Sequence, residues 1–146
     1  MLNFDRRVVR HRYIGANLAV EIADPTGAGW YDYDWVDFEP RLDLLRRYGL
    51  RPGARVFDLG AHQGVVGLVL GHHVGAGGQV VLIEPDPHNF AQCRRNAELN
   101  AMPSAKTHKV AYAMRDVTPV WRHIITAHRV LYFWHSVGNK FAVPCQ

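Results

Sequence analysis

The segment Asp58-Leu59-Gly60-Ala61-His62-Gln63-Gly64 is the turn around which the chain is organised. It closes the short apolar run that begins Arg55-Val56-Phe57, and it opens a run in which Val65, Val66, Leu68, Val69, Leu70 and Val74 fit a mostly buried helix. Gly75-Ala76-Gly77-Gly78 stops that helix. Val80-Val81-Leu82-Ile83-Glu84 then reads as a second strand with few polar interruptions, as expected in a sheet covered on both faces. Strand, glycine turn, helix and strand make a βαβ unit.

Downstream, Pro85-Asp86-Pro87 starts another helix, which carries Phe90, Cys93 and Ala97 on a modest apolar face and reaches Asn100 as a cap. A third strand is expected near His108 to Ala113, with Asp116 just beyond its end. Val120, Trp121, Ile124 and Ile125 suit a helix and Val130 to Trp134 a strand, whereas Gly138 to Gln146 has no clear period. Upstream, Val8 and Val9, then Leu18, Val20 and Ile22, suggest two short strands of a hairpin that ends at Asp24-Pro25-Thr26-Gly27. The aromatic and acidic stretch Trp30-Tyr31-Asp32-Tyr33-Asp34-Trp35 either covers one face or borders a cleft. Pro40 can start a helix with Leu42, Leu44, Leu45 and Tyr48 as its apolar stripe and Gly49 as its stop. The expected organisation is an N-terminal extension over 1–52, a ligand-binding βαβαβ core over 53–116 and an atypical C-terminal segment over 117–146. The class is α/β, with a partial Rossmann-like, mostly parallel sheet.

The 146 residues suffice for one domain with a real core. Short, interrupted apolar runs argue against a membrane span, and the start Met1-Leu2-Asn3-Phe4-Asp5-Arg6 lacks a secretory pattern, so the cytoplasm is the default expectation. Cys93 and Cys145 give neither a disulfide framework nor a zinc spacing; Cys93 reads as a core thiol and no metal is expected. The net charge of +4 comes largely from Arg6, Arg7, Arg10 and Arg12 and from Arg41, Arg46, Arg47 and Arg51. Both groups read as solvated faces, because neither is interleaved with the aromatic pattern of a base-stacking surface. Nucleic acid is therefore not the expected partner.

Ligand crevices of parallel sheets lie outside the carboxyl ends of the strands. Gly60 and Gly64 permit close backbone approach there, Asp58 can orient the turn or face a cationic group, and Glu84 at the next strand end can bind two ribose hydroxyls. The lysine and hydroxyl of a phosphate-binding P-loop are missing, and His62 stands where a dinucleotide fingerprint needs its second glycine. A nucleoside-like cofactor without pyrophosphate remains. His62 itself reads as a loop or core histidine rather than a general base, since no neighbouring acid marks an orienting partner.

Val56 to Gly64, Gly78 to Phe90 and Arg95-Asn96-Ala97-Glu98-Leu99-Asn100 together resemble the FkbM family of S-adenosylmethionine-dependent methyltransferases, over about residues 53 to 116. The resemblance implies a Rossmann-like methyltransferase fold that binds S-adenosyl-L-methionine. It implies a cofactor site of Asp58, Gly60, Ala61, His62, Gly64, Glu84 and Asp116. Asp58, Gly60 and Gly64 would surround the methionine part, Glu84 would hold the ribose, and Asp116 would lie near the adenine. It further implies methylation, with an oxygen of an unidentified acceptor as the target and no assigned catalytic residue. The family's later strand and Glu-Gly turn do not follow Asp116, so the chain is expected to be truncated or altered from there. The alternative is an inactive methyltransferase-like remnant or interaction protein that binds the cofactor without transfer, and an exposed sheet edge would favour self-association.

Overall fold

The computed structural model describes residues 4–36, 39–102, 105–108, 130–136 and 139–144. The chain opens with a hairpin of β1 (Arg7–Tyr13) and β2 (Ala16–Ile22), paired antiparallel from Arg7 with Ile22 to Tyr13 with Ala16. Only Ile14 and Gly15 lie between the strands, at φ 47° and 82°. Two consecutive positive φ values define the turn whose twist matches that of a hairpin, and Gly15 accepts that conformation without cost where β-branched Ile14 does not.

Asp24 then starts helix α1 (Pro25–Tyr31) rather than ending the hairpin in a loop: its carboxylate accepts the Gly27 N–H at 2.7 Å, and Pro25 occupies the first turn. After α2 (Glu39–Arg47), Gly49 turns the chain at φ 107° toward β3 (Arg55–Leu59). Leu42 and Leu45 of α2 are buried, while Leu44 and Tyr48 lie at the surface.

The main sheet has the order β5-β4-β3-β6-β7, formed by β3, β4 (Gln79–Ile83), β5 (Ala105–His108), β6 (Val130–Ser136) and β7 (Asn139–Pro144). The strands β5, β4, β3 and β6 are parallel; β7 runs antiparallel to β6, so the sheet is mixed. β3 is paired on both sides, with Arg55 opposite Gln79 on one flank and Val130 on the other. The third strand covers Ala105–His108, ending where the sequence had suggested its beginning, and Gly138 to Gln146 contributes a strand that no alternation announced. The expected helix around Val120 to Ile125, together with Asp116 and Cys145, lies outside the described residues.

Helix α3 (Val65–Val74) joins β3 to β4, and α4 (Pro87–Leu99) joins β4 to β5. On α3 every residue from Val65 to Gly71 is buried, which is why its sequence carries no polar face. The hairpin shares the same core: Tyr13, Leu18, Val20 and Ile22 pack in one cluster with Val65, Leu68 and Leu82. It is also tied to α4 through amides. Gln92 donates to the Glu21 carbonyl, Asn96 accepts from the Glu21 N–H and Asn100 engages Ala19, so three side chains four residues apart satisfy the edge of β2 that faces away from β1. The modest apolar face of α4 has this cause: Gln92 and Asn96 are fully buried. Among the described residues no helix is long and apolar enough to cross a membrane.

Candidate functional site

The strand order reverses at β3, whose neighbours β4 and β6 lead away in opposite directions. Such a switch point leaves a crevice beyond the carboxyl ends of the strands, and the glycine turn after Leu59 stands there. Gly60 and Gly64 sit at φ 74° and 84°, in the left-handed region that glycine enters freely. The N–H groups of Gly60 and Ala61 both donate to the Ile83 carbonyl, at 2.8 and 3.1 Å, which fastens the turn to the end of β4. Gly64 caps α3 without any side-chain hydrogen bond to the first helical turn.

Glu84 is buried at the carboxyl end of β4, beside this turn. Its Oε2 accepts the His62 N–H at 2.7 Å and its Oε1 the Asp86 N–H at 2.9 Å. Burial pushes its carboxyl above the usual range, against the lowering effect of those two hydrogen bonds. Each oxygen retains acceptor capacity, so the carboxylate can still receive a pair of hydroxyls.

Asp58 and Glu84 lie on the same face of the sheet, since Asp58 is in register with Leu82 and Glu84 follows two residues later. Asp58 is fully buried, next to α3: a Cβ on Gly67 would come within 3.0 Å of its Oδ2. Ala61 and Gly64 are buried as well, leaving Gly60 and His62 as the half-buried members of the turn. The sequence-derived set is thus brought to one end of β3 and β4, with Asp116 outside the described residues. Asp86 acts as the N-cap of α4 by accepting the Asn89 N–H at 2.9 Å.

His62 adopts φ 52°, uncommon outside glycine. Four contacts hold it there. Its N–H is taken by Glu84; its carbonyl accepts from the Cys93 thiol at 2.8 Å; its Nδ1 meets the Tyr31 hydroxyl at 3.1 Å; and its ring packs 4.9 Å from that of Trp30. Burial lowers the pKa of the ring, outweighing the opposing effect of Asp24, and favours neutral imidazole. Burial also keeps the Tyr31 phenol and the Cys93 thiol protonated.

Asp24 and His88 complete the surroundings. Asp24 Oδ2 accepts from Gln63 Nε2 at 2.6 Å and bonds His88 Nε2 at 3.0 Å, linking α1, the glycine turn and the first turn of α4. Sequence reasoning did not assign Asp24, Trp30 or Tyr31 to this place; Asp followed by Pro is compatible with a helix start at residue 25 as well as with a turn. Among the described residues no group of three or more His, Cys, Asp or Glu side chains is arranged to hold a metal ion.

No protein-family model matches the chain, and no curated protein matches it. Solved structures do. The Thermus thermophilus 16S rRNA N2 G1207 methyltransferase (RsmC), determined with AdoMet and guanosine, is similar over 88% of this chain and 41% of its own, at 21% identity and a TM-score of 0.55. A SAM-dependent methyltransferase from Aquifex aeolicus overlaps 59% of this chain and 42% of its own, at 21% identity and a TM-score of 0.45. A protein-L-isoaspartate O-methyltransferase overlaps 49% and 23%, at 27% identity and 0.45. Only the first likeness is close enough to bear on the architecture. The chain spans about two fifths of the length of the first two proteins and less of the third.

The fold is α/β, a partial Rossmann-like arrangement with a mixed sheet that resembles the fold of S-adenosylmethionine-dependent methyltransferases. This corrects the resemblance to the FkbM family: no family model matches, and the structural likeness is to the general class I fold and not to that family's distinct one. The physical reason lies in the residues that suggested it. A glycine turn after an acidic strand end, with a second acid ending the next strand, meets the needs of any βαβ unit that cradles a nucleoside, so it specifies a fold and not a family.

Proposed function

We propose that this chain binds S-adenosylmethionine at the crevice above β3 and β4 and serves methyl transfer. The observation that carries the proposal is the Glu84 carboxylate, fixed by the His62 and Asp86 N–H groups beside a glycine turn at the switch point of the sheet. The residues fit such a ligand: spare acceptor capacity on Glu84 suits a ribose diol, and the start of α3, which no side chain caps, suits a carboxylate. Glu84 would hold the ribose, and Gly60 would let the ligand approach the backbone. Asp58, Ala61 and Gly64 would set the shape of the turn, His62 would border the ligand, and Asp116 would serve the adenine side. The bound group supplies an activated methyl on a sulfonium. The protein's task is to orient it toward an acceptor and to exclude water. An oxygen acceptor sheds a proton as the methyl arrives.

The second reading is a protein that binds the cofactor at this same site without transferring its methyl. Calorimetric titration with S-adenosylmethionine tests both readings. Saturable binding that Glu84→Gln abolishes in a folded protein supports the site; absence of binding to the wild-type chain overturns both. Formation of S-adenosylhomocysteine on addition of a small-molecule extract separates the enzyme from the remnant.

A further inference from the structure

We infer that Trp30, at the end of α1, is a recognition residue for the positive sulfonium and distinguishes the methyl donor from its neutral thioether product. This inference rests on the cofactor reading above and names the selectivity of that same site.

Three aromatic rings meet at the glycine turn. Trp30 lies 4.9 Å from His62 and 6.1 Å from Tyr31, and Tyr31 lies 5.7 Å from His62, all measured between ring centroids. Their exposures differ in a telling way. Tyr31 and Trp35 are buried in the core, whereas Trp30 leaves 38% of its surface open while packing against His62, the turn residue beside Glu84.

The electrostatics favour a cation. An aromatic face attracts positive charge through its quadrupole, most strongly for tryptophan, and sulfonium is a compact cation with poorly hydrated methyl groups. Asp24, Asp58, Glu84 and Asp86 are the acids around the turn, and His88 is the basic group that acts on His62 there. His62 does not add a competing positive charge while its ring is neutral, and the Tyr31 hydroxyl at Nδ1 fixes the plane of that ring against Trp30. S-adenosylmethionine and S-adenosylhomocysteine share ribose, adenine and amino-acid groups and differ by one methyl and one positive charge. A wall that reads this charge therefore acts on their affinity ratio and leaves their shared contacts alone. The consequence is product release, since the thioether left after transfer no longer has the interaction with the ring.

The test is the ratio of the two affinities, measured by calorimetry on the full chain and on Trp30→Leu and Trp30→Phe, with circular dichroism to establish folding. Trp30→Leu is expected to weaken S-adenosylmethionine by about 2- to 30-fold, the range that a cation–π contact supports, and S-adenosylhomocysteine by less than about 2-fold. Trp30→Phe, which keeps an aromatic face, is expected to fall between. Equal weakening of both ligands, or no change in either, overturns the inference and leaves the cofactor site standing. Failure of both ligands to bind the wild-type chain overturns the cofactor reading and the inference with it.

Discussion

The side-chain amide of Asn100 holds both backbone polar groups of Ala19: Oδ1 accepts the Ala19 N–H at 2.9 Å, and Nδ2 donates to the Ala19 carbonyl at 2.8 Å. A residue just past the end of a helix thus takes the part that a neighbouring strand would play for β2, and Asn96 and Gln92, one and two turns earlier, divide the same pair of bonds between them on Glu21. Ala19 is itself buried, so water is a poor substitute for the amide.

Replacing Asn100 by Ala leaves the N–H and carbonyl of Ala19 unsatisfied. The expected loss is about 1–3 kcal/mol of folding stability, read from urea denaturation. Faster hydrogen exchange at the Ala19 amide than in the wild type would locate the damage; unchanged exchange would refute the bridging role.

The raised carboxyl of Glu84 gives a signed pH dependence. Because folding favours its protonated form, this group's contribution to stability is full below the unfolded value of 4.5 and is lost as pH rises through the higher folded value. The melting temperature of the wild type relative to Glu84→Gln should therefore decline from acid to neutral pH. Ligand binding runs the other way: hydroxyl donors need the carboxylate, so affinity for S-adenosylmethionine should begin to fall, on acidification, at a higher pH than an ordinary glutamate would dictate.

Asp24 presents the opposite sign. Burial raises its pKa, but the hydrogen bonds from Gly27 and His88 outweigh burial and bring it below the model-peptide value of 3.8. Its contribution is present above that value and disappears as pH falls through the lower folded value. Asn at position 24 preserves the helix cap, so Asp24→Asn should cost only about 1 kcal/mol or less at neutral pH, given the exposure of His88. That difference should vanish in strong acid. Thermal melts of both proteins across a pH series would show the convergence, and parallel curves would count against it.

Two glycines should respond oppositely to alanine. A Cβ on Gly67 would stand 2.6 Å from Leu82 Cδ2 and 3.0 Å from Asp58 Oδ2, so Gly67→Ala should destabilise by about 1–3 kcal/mol through overpacking. Gly29, within α1, has nothing near its hypothetical Cβ, and Gly29→Ala should stabilise by about 0.5–1 kcal/mol. Denaturation midpoints of the two variants on either side of the wild type are the expected result.

The β3-α3-β4-α4 path was legible because its signals agree: apolar runs of strand length, glycines where φ is positive, and Asp86 with Pro87 at a helix start. The site was legible to the extent that Asp58, the glycine turn and Glu84 share one end and one face of the sheet. Other parts escaped for definite reasons. Asp24-Pro25 serves equally as a turn and as a cap with a first helical residue, and only packing chooses between them. Gln92, Asn96 and Asn100 are polar, so their face of α4 resembles a wet one although the hairpin covers it. Asn139 to Pro144 lacks alternation, and its pairing with β6 is a tertiary fact. The family resemblance failed where the same residues serve a whole fold class.

The sheet's connectivity also sets a timetable. β3 pairs early with β4, a partner supplied by the very next helix, but its other flank waits for Val130 and its neighbours, which emerge from the ribosome long after Arg55. Until then the wall of the crevice on that side is a bare strand edge, and closing it carries the loop-closure cost of a distant pairing. The β4 side of the site, built from Gly60 and Glu84, thus has its partner before the β6 side does, leaving a nascent chain with a sticky flank that a chaperone would have reason to shield.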